Sequence, residues 1–186
     1  MTGFKCLKGL CSIENGAFSF VQGERLVDNG HFYFLSDQYF IDFPDKHLVQ
    51  NKSVTSHSVH DRPCYCAFQD TSSGLYWMIP ISSQLTKFHK IYASKVKKYG
   101  RCDTILFGHV LGYEKAFLIQ NMCPVSSKYV KNEYIDKLSK MPVRLDKRFE
   151  KKLIQSGKKV LRLQRNGKNL IFPDIQKIES GLLAER

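Results

Sequence analysis

Two apolar runs joined by a short turn constrain this chain most. The first is Arg62-Pro63-Cys64-Tyr65-Cys66-Ala67-Phe68, and the second is Leu75-Tyr76-Trp77-Met78-Ile79-Pro80-Ile81. Between them Asp70-Thr71-Ser72-Ser73-Gly74 supplies the residues that turns favour. The pair predicts a β-hairpin. The second run stops abruptly. Ser82-Ser83-Gln84 follows at once, then Leu85-Thr86-Lys87-Phe88-His89-Lys90. Hydroxyls, an amide and cations crowd a strand end, a place rigid enough to hold an anion.

The flanking segments extend the sheet. From His31, Phe32 and Phe34 alternate, then Tyr39, Ile41 and Phe43. Alternation predicts strands, with Ser36-Asp37-Gln38 interrupting them and able to cap a short turn of helix. Residues 44–61 read as a loop. Cys102–Val110 and Lys115–Met122 read as two further strands around Leu111-Gly112-Tyr113-Glu114. Ser126-Ser127 would cap a helix with Val130, Tyr134 and Leu138 on one face, ended by Pro142. Arg144–Arg165 predicts a second helix, with Phe149, Leu153, Val160 and Leu161 inward and cations outward; Asn166-Gly167 stops it. Leu170-Ile171-Phe172 reads as a short strand and Pro173–Leu183 as a final helix. Strands first and helices after predict an α+β fold, a twisted antiparallel sheet flanked by C-terminal helices. The 186 residues suffice for one core. Residues 1–30 are glycine-spotted and aperiodic, so they stand apart as an N-terminal extension before a single domain, 31–186.

Charge narrows the partner. The formal net charge is +12, and two blocks carry it. Residues 87–101 hold Lys87, Lys90, Lys95, Lys97, Lys98 and Arg101 without a carboxylate. Residues 137–168 hold twelve basic side chains, among them Arg144, Lys158 and Lys159, against Asp146 and Glu150. Two such blocks predict a polyanion partner, RNA or DNA. Aromatic rings interleave with the cations. Tyr92 and Tyr99 lie inside the first block and are candidates for base stacking, whereas Phe32, Phe34 and Trp77 are expected in the core. No apolar run approaches the roughly 20 residues of a membrane-spanning helix. No signal-peptide core is evident either, and a cytoplasmic protein is expected. The six cysteines are irregularly spaced, which suits reduced thiols rather than a disulfide framework.

Three chemistries compete for the polar residues. His57, His60, Cys64 and Cys66 lie within ten residues and form a candidate zinc set. A C-x-C pair on a strand splays its thiols along one face, so two buried cysteines and two loop histidines fit the spacing better; no metal or other cofactor is expected. Ser82 and Ser83 near His89 suggest a hydrolase, but no G-x-S-x-G elbow or acidic orienter accompanies them. Phosphate handling is the third. RNA is cleaved without a protein nucleophile when its own 2′-hydroxyl attacks the adjacent phosphate. The protein must then align the attack, stabilise added negative charge and help two protons move. Ser82, Ser83, Thr86 and Lys87 supply hydroxyls and a cation, Arg62 opens the partner strand, and His57 and His60 precede it as proton-transfer groups. Composition alone equally allows a polar strand end without a role.

Three stretches, FYFLSDQYFIDFPDK, DRPCYCAFQDTSSGLYWMIPISSQ and AFLIQNMCPV, resemble in order the endoribonuclease toxins of type III (protein–RNA) toxin–antitoxin systems. These are the ToxN/AbiQ superfamily, and the CptN subgroup is the most similar. The resemblance spans about residues 31–183. It implies a strongly twisted antiparallel sheet, a partial barrel like that of the Kid/MazF toxins. It implies metal-independent cleavage leaving 2′,3′-cyclic phosphate ends, on cellular or phage RNA. The implied partner is a cognate antitoxin RNA of pseudoknotted repeats, which the toxin cuts from a precursor and assembles with into closed rings; phage defence by abortive infection is the implied setting, inside a bacterium. The family's hydroxyl pair falls on Ser82 and Ser83, and a basic strand-opening residue on Arg62. Tyr33 and Tyr39 match a tyrosine region loosely. Relatives place a lysine about two residues after the hydroxyls; here Gln84 and Leu85 stand there, and the first cation is Lys87. The expected catalytic set is Arg62, Ser82, Ser83, Thr86, Lys87 and His60. The expected RNA grip is Tyr33, Tyr39, Lys90, Tyr92, Lys95, Lys97, Lys98, Tyr99, Arg101, Arg144, Lys158 and Lys159. The rival readings are a non-catalytic RNA-binding module and a zinc-binding regulator.

Overall fold

A computed structural model describes residues 27–51 and 62–185. Residues 1–26 of the extension, and His57 and His60, lie outside the described residues. The described chain is α+β, with an open antiparallel sheet whose order is β4-β5-β3-β2-β1-β7. Its strands are β1 (Phe32–Leu35), β2 (Cys64–Gln69), β3 (Tyr76–Ser82), β4 (Leu106–Val110), β5 (Tyr113–Phe117), β6 (Cys123–Val125) and β7 (Val130–Glu133). The helices are α1 (Asp37–Asp42), α2 (Leu85–Tyr99), α3 (Lys147–Arg165) and α4 (Ile175–Ala184).

The expected hairpin is β2–β3, paired from Cys64↔Pro80 to Gln69↔Tyr76. Its partner edge is shared. β6 pairs with Tyr76, Trp77 and Met78, whereas β5 pairs with Ile81 and Ser82. Pro80, which has no N–H to donate, stands where one neighbour gives way to the other. Its carbonyl still accepts from the Leu118 N–H at 3.0 Å.

Side chains alternate across the sheet and divide the core. Tyr65, Ala67, Trp77, Ile79, Ile81 and Phe117 face one way, where α3 covers them with Leu153, Val160 and Leu161. Gly157 of α3 lies close enough to Phe68 and Ile79 that an added Cβ would touch both at 3.5 and 3.6 Å. Cys64, Cys66 and Met78 face the other way, under Tyr39 of α1 and Ile178 and Leu182 of α4. Farther along that second face, Phe88 of α2 packs on Ile105, Ala116 and Leu118. The Asp146 carboxylate caps α3, accepting from the N–H groups of Arg148 and Phe149 at 3.0 and 3.1 Å.

Several elements differ from the sequence reading. Residues 126–141 are not a helix. They form a one-turn 3₁₀ segment, then β7, which pairs with β1, then a turn closed by the Lys140 N–H on the Asp136 carbonyl. Leu138, expected inward, is 93% exposed. Tyr39, Ile41 and Phe43 do not continue a strand. Ser36 caps α1 there, with Tyr39 buried and Ile41 exposed. Leu170–Phe172 forms no strand; the Phe172 N–H donates to the Gln120 carbonyl. Cys64 and Cys66 are core thiols, and no cluster of three or more metal-binding side chains occurs among the described residues.

The hairpin turn carries a pH signature. Asp70 accepts from the Ser72 hydroxyl at 2.6 Å, the Ser72 N–H at 3.0 Å and the Arg165 guanidinium at 3.0 Å. These bonds, the Ser72 hydroxyl first, hold its carboxyl at about 2, below the usual 3.8. A depressed carboxyl stabilises the fold above its unfolded pKa, and that stability is lost as pH falls through the folded value. Urea midpoints should therefore drop between pH 3.8 and about 2, and Asp70→Asn should flatten that drop. An unchanged acid limb in the variant would assign the loss to other carboxylates.

Candidate active site

The site grows from the end of β3. Ser82 is buried, and its Oγ accepts from the Gln84 N–H at 3.2 Å, so this hydroxyl is engaged in turning the chain into α2. The Leu85 N–H donates to the Ser83 carbonyl at 2.9 Å and tightens the same turn. Ser83 is exposed, and its Oγ accepts from Lys115 Nζ at 2.7 Å. Lys115 comes from β5. Strand register brings it there: Ser82 pairs with Ala116, so the next residue of β3 faces the preceding residue of β5. Opposite Lys115 on β4 stands Gly108. The ring of Phe149, from α3, packs on the Gly108 α-carbon so closely that a Cβ there would lie 2.4 Å from it.

The β4–β5 turn fixes this lysine from its other end. Leu111 and Gly112 have φ of 50° and 80°, and the pair of left-handed residues matches the twist of a two-residue hairpin. Tyr113 directly after it is 71% exposed, and Lys115 Nζ lies 5.9 Å from its ring centroid. An aromatic face, an ammonium and a hydroxyl thus share one surface.

Helix α2 opens beside Ser83. Gln84 at its cap position makes no side-chain capping bond, and no acid lies in the first turn. A first turn without an acid favours an anion at its N–H groups. Thr86 and Lys87 lie in this turn and are exposed. Lys87 Nζ sits over the Phe88 ring at 5.6 Å, so Lys115 and not Lys87 meets Ser83. Arg62 is half-buried just ahead of β2. Extending the Cys64↔Pro80 register outward by two residues brings it level with Ser82. His89 stacks on Phe107 with centroids 3.9 Å apart, and its Nε2 lies 3.5 Å from Glu114 Oε2. The acidic orienter missing from the sequence is therefore present, although these contacts tie His89 to β4 and β5 rather than to the serines.

The expected RNA-contacting residues separate into two groups. Tyr33 and Tyr39 are buried, and the Tyr39 hydroxyl donates to the Pro124 carbonyl at 2.8 Å. Both serve the core and offer almost no surface for the RNA contact expected of them. Tyr92 packs edge-on to Phe107. Lys90, Lys97, Lys98, Tyr99, Arg101, Arg144 and Lys158 are exposed. Lys159 is engaged by Asp103 at 2.8 Å, and Arg101 Nε lies 3.4 Å from the same carboxylate. That carboxylate joins Lys159 of α3 to Arg101 just after α2, one point of contact between the two basic blocks.

A solved structure of AbiQ superposes on this chain with a TM-score of 0.59, covering 84% of this chain and 98% of AbiQ at 14% identity. This chain has the AbiQ fold. AbiQ is a lactococcal anti-phage endoribonuclease belonging to the type III toxin–antitoxin system. No protein-family model and no curated protein sequence matches the chain. The resemblance read from residues 31–183 is borne out in the AbiQ fold, and so is the expected class, a mainly antiparallel sheet with C-terminal helices. Unlike a closed barrel, the sheet ends at β4 and β7. Among the described residues no helix is long and apolar enough to cross a membrane.

Proposed function

We propose that this chain is an endoribonuclease toxin of the type III kind, acting on cellular or phage RNA and held in check by a repeat RNA antitoxin. The observation that carries this reading is the Ser83–Lys115 bond of 2.7 Å, built on paired strands of an AbiQ fold beside the start of α2. A hydroxyl and an ammonium in contact make a cradle for a non-bridging phosphate oxygen.

In the reaction, the RNA 2′-oxygen forms a bond to phosphorus and the bond from phosphorus to the 5′-oxygen breaks. The 2′-hydroxyl loses a proton and the departing 5′-oxygen gains one. The products are a 2′,3′-cyclic phosphate and a 5′-hydroxyl, and no metal is needed. Lys115 stabilises the negative charge that develops on the non-bridging phosphate oxygens, which is where preorganised donors contribute most. Ser83 and the first N–H groups of α2 orient the phosphate, with Thr86 at their side and Arg62 and Lys87 as flanking cations. Ser82 holds the turn. His60 moves a proton. The antitoxin, of pseudoknotted repeats, occupies the same surface in a closed protein–RNA ring in the cytoplasm of a bacterium, where it serves phage defence.

Incubation of purified protein with single-stranded RNA in excess chelator tests the reading. Fragments ending in cyclic phosphate are expected. RNA bound and left intact would reduce the protein to a binding module, and cleavage only on adding metal would remove the mechanism. Affinity should also fall steeply with salt. Contact with about six phosphates gives a log–log slope near −4 for single strands, so raising salt fourfold should weaken binding roughly a hundredfold or more. A flat salt response would take the two basic blocks out of the RNA grip.

A further inference from the structure

Helix α2 has a second functional end. Its 15 residues span about 22 Å, from Ser83 at one end to a cleft of about 570 Å³ at the other. That volume falls within the usual range for small-ligand sites, roughly 300–1,000 Å³. Lys95, Tyr99 and Arg101, from the end of α2 and just beyond it, line the cleft together with Lys168, Asn169 and Phe172, from the segment after α3.

Lys95 sets the chemistry. Its Nζ donates to Thr104 Oγ1 at 2.8 Å and to Gln120 Oε1 at 2.7 Å, both neutral. No carboxylate pairs with it among the described residues. Burial lowers its pKa. An ammonium has three donors, so one N–H remains for a ligand in a place where an unmatched cation is costly. The Phe172 ring lies 5.4 Å from Nζ and is 43% exposed, and Tyr99 is 64% exposed. Lys98 Nζ lies 5.1 Å from the Tyr99 ring centroid and the His47 ring 5.8 Å from that of Phe172, and each ring keeps part of its surface open to the cleft beside the half-buried ammonium. Asp103, a carboxylate lining the cleft, is already held by Lys159 at 2.8 Å and faces Arg101 Nε at 3.4 Å. The surplus charge at the rim comes from Arg101 and Lys168.

Aromatic faces, a buried donor and rim cations together match a ligand with a flat polar ring and an attached phosphate. We propose that this cleft is a nucleotide subsite separate from the Ser83–Lys115 pair: it holds one unpaired nucleotide, its base stacked on Tyr99 or Phe172 with a carbonyl on Lys95 Nζ, and its phosphate on Arg101 and Lys168. The Asn169 side-chain amide, with both donors and an acceptor, reads the base edge. The same chemistry comes from a free mononucleotide or from a nucleotide extruded from a strand. The strand source rests on the nuclease reading; the nucleotide chemistry of the cleft does not.

Cys102 also lines the cleft and is partly exposed, whereas Cys64, Cys66 and Cys123 are buried. Its alkylation rate, read by peptide mass spectrometry on the full chain carrying Ser83→Ala, reports occupancy without cleavage. The probes are UMP, AMP, inorganic phosphate and a short unstructured RNA. 5-Bromouridine versions of the nucleotide and the RNA, crosslinked by light, report the stacked ring. Slowed alkylation with UMP or AMP, and a crosslink to Tyr99 or Phe172, identify a free-nucleotide site. Protection by RNA alone, with the same crosslink, identifies the strand as the source. In either case Tyr99→Ala or Phe172→Ala should weaken protection roughly tenfold for the ring that stacks. Equal protection by inorganic phosphate, indifferent to both ring substitutions, overturns the proposal, and so does the absence of both protection and crosslinks. Cleavage by the unaltered chain is scored separately. A cleaving protein with an unprotected Cys102 loses only the cleft, and a protected Cys102 on a non-cleaving protein loses only the nuclease reading.

Discussion

Lys115→Met should slow RNA cleavage about 10²–10³-fold, the loss expected when one preorganised charge-stabilising donor is removed. Methionine keeps an apolar stem and drops the ammonium, so the β4–β5 hairpin should stay folded. Ser83→Ala should lose a comparable factor, because it removes the hydroxyl that Lys115 holds at 2.7 Å. The double variant should be scarcely worse than either single one, since residues acting as a unit are not additive. Lys87→Met should cost far less, under about tenfold, as befits a rim charge screened by solvent. Single-turnover rates with circular dichroism controls make the measurement. A larger loss at Lys87 than at Lys115 would move the charge-stabilising role back to the helix.

Gly108→Ala should destabilise the fold by about 1–3 kcal/mol, the usual cost of overpacking. The new methyl would lie 2.4 Å from Cε1 and Cζ of Phe149, and Phe149 is itself wedged against Phe117 with centroids 5.0 Å apart. Either the ring or the first turn of α3 must shift. Phe149→Leu in the same chain should recover part of the loss. Urea midpoints decide it, and full stability in the single variant would show that the ring has room to move. Gly108 faces Lys115 across the ladder, so cleavage should fall along with stability.

The hairpin and α3 were legible in the sequence because their signals agree at every level. Turn residues separate two apolar runs, and Leu153, Val160 and Leu161 recur at helical spacing over about two turns. Two of the errors share a cause. Val130, Tyr134 and Leu138 stand four apart, and so do Tyr39 and Phe43. A spacing of four is one helical turn, but it is also an even number, which keeps side chains on one face of a strand. The sequence alone could not choose between the two. Pairing with β1 made residues 130–133 a strand, and the Ser36 cap made residues 37–42 a helix.

The candidate site was half legible. Ser82 and Ser83 stand out in the sequence because hydroxyls end an apolar run. Lys115 does not, because it stands 32 residues from Ser83 and meets it only through strand register. A signal existed: aligning Ile81 and Ser82 antiparallel to Phe117 and Ala116 sets Ser83 against Lys115. Nothing local marks that alignment, and Lys87 lay nearer in the chain. Glu114 escaped for the same reason, since it reaches His89 across a helix–strand contact.

The length of α2 has a consequence for where RNA would be cut. A rigid rod of about 22 Å matches roughly six nucleotides of a stacked strand at about 3.4 Å each. A strand anchored by one base at the Tyr99 end and cleaved at the Ser83 end would be measured as well as read. Inserting a full turn into α2 would then move the cut by one or two nucleotides, and the helix would act as a ruler.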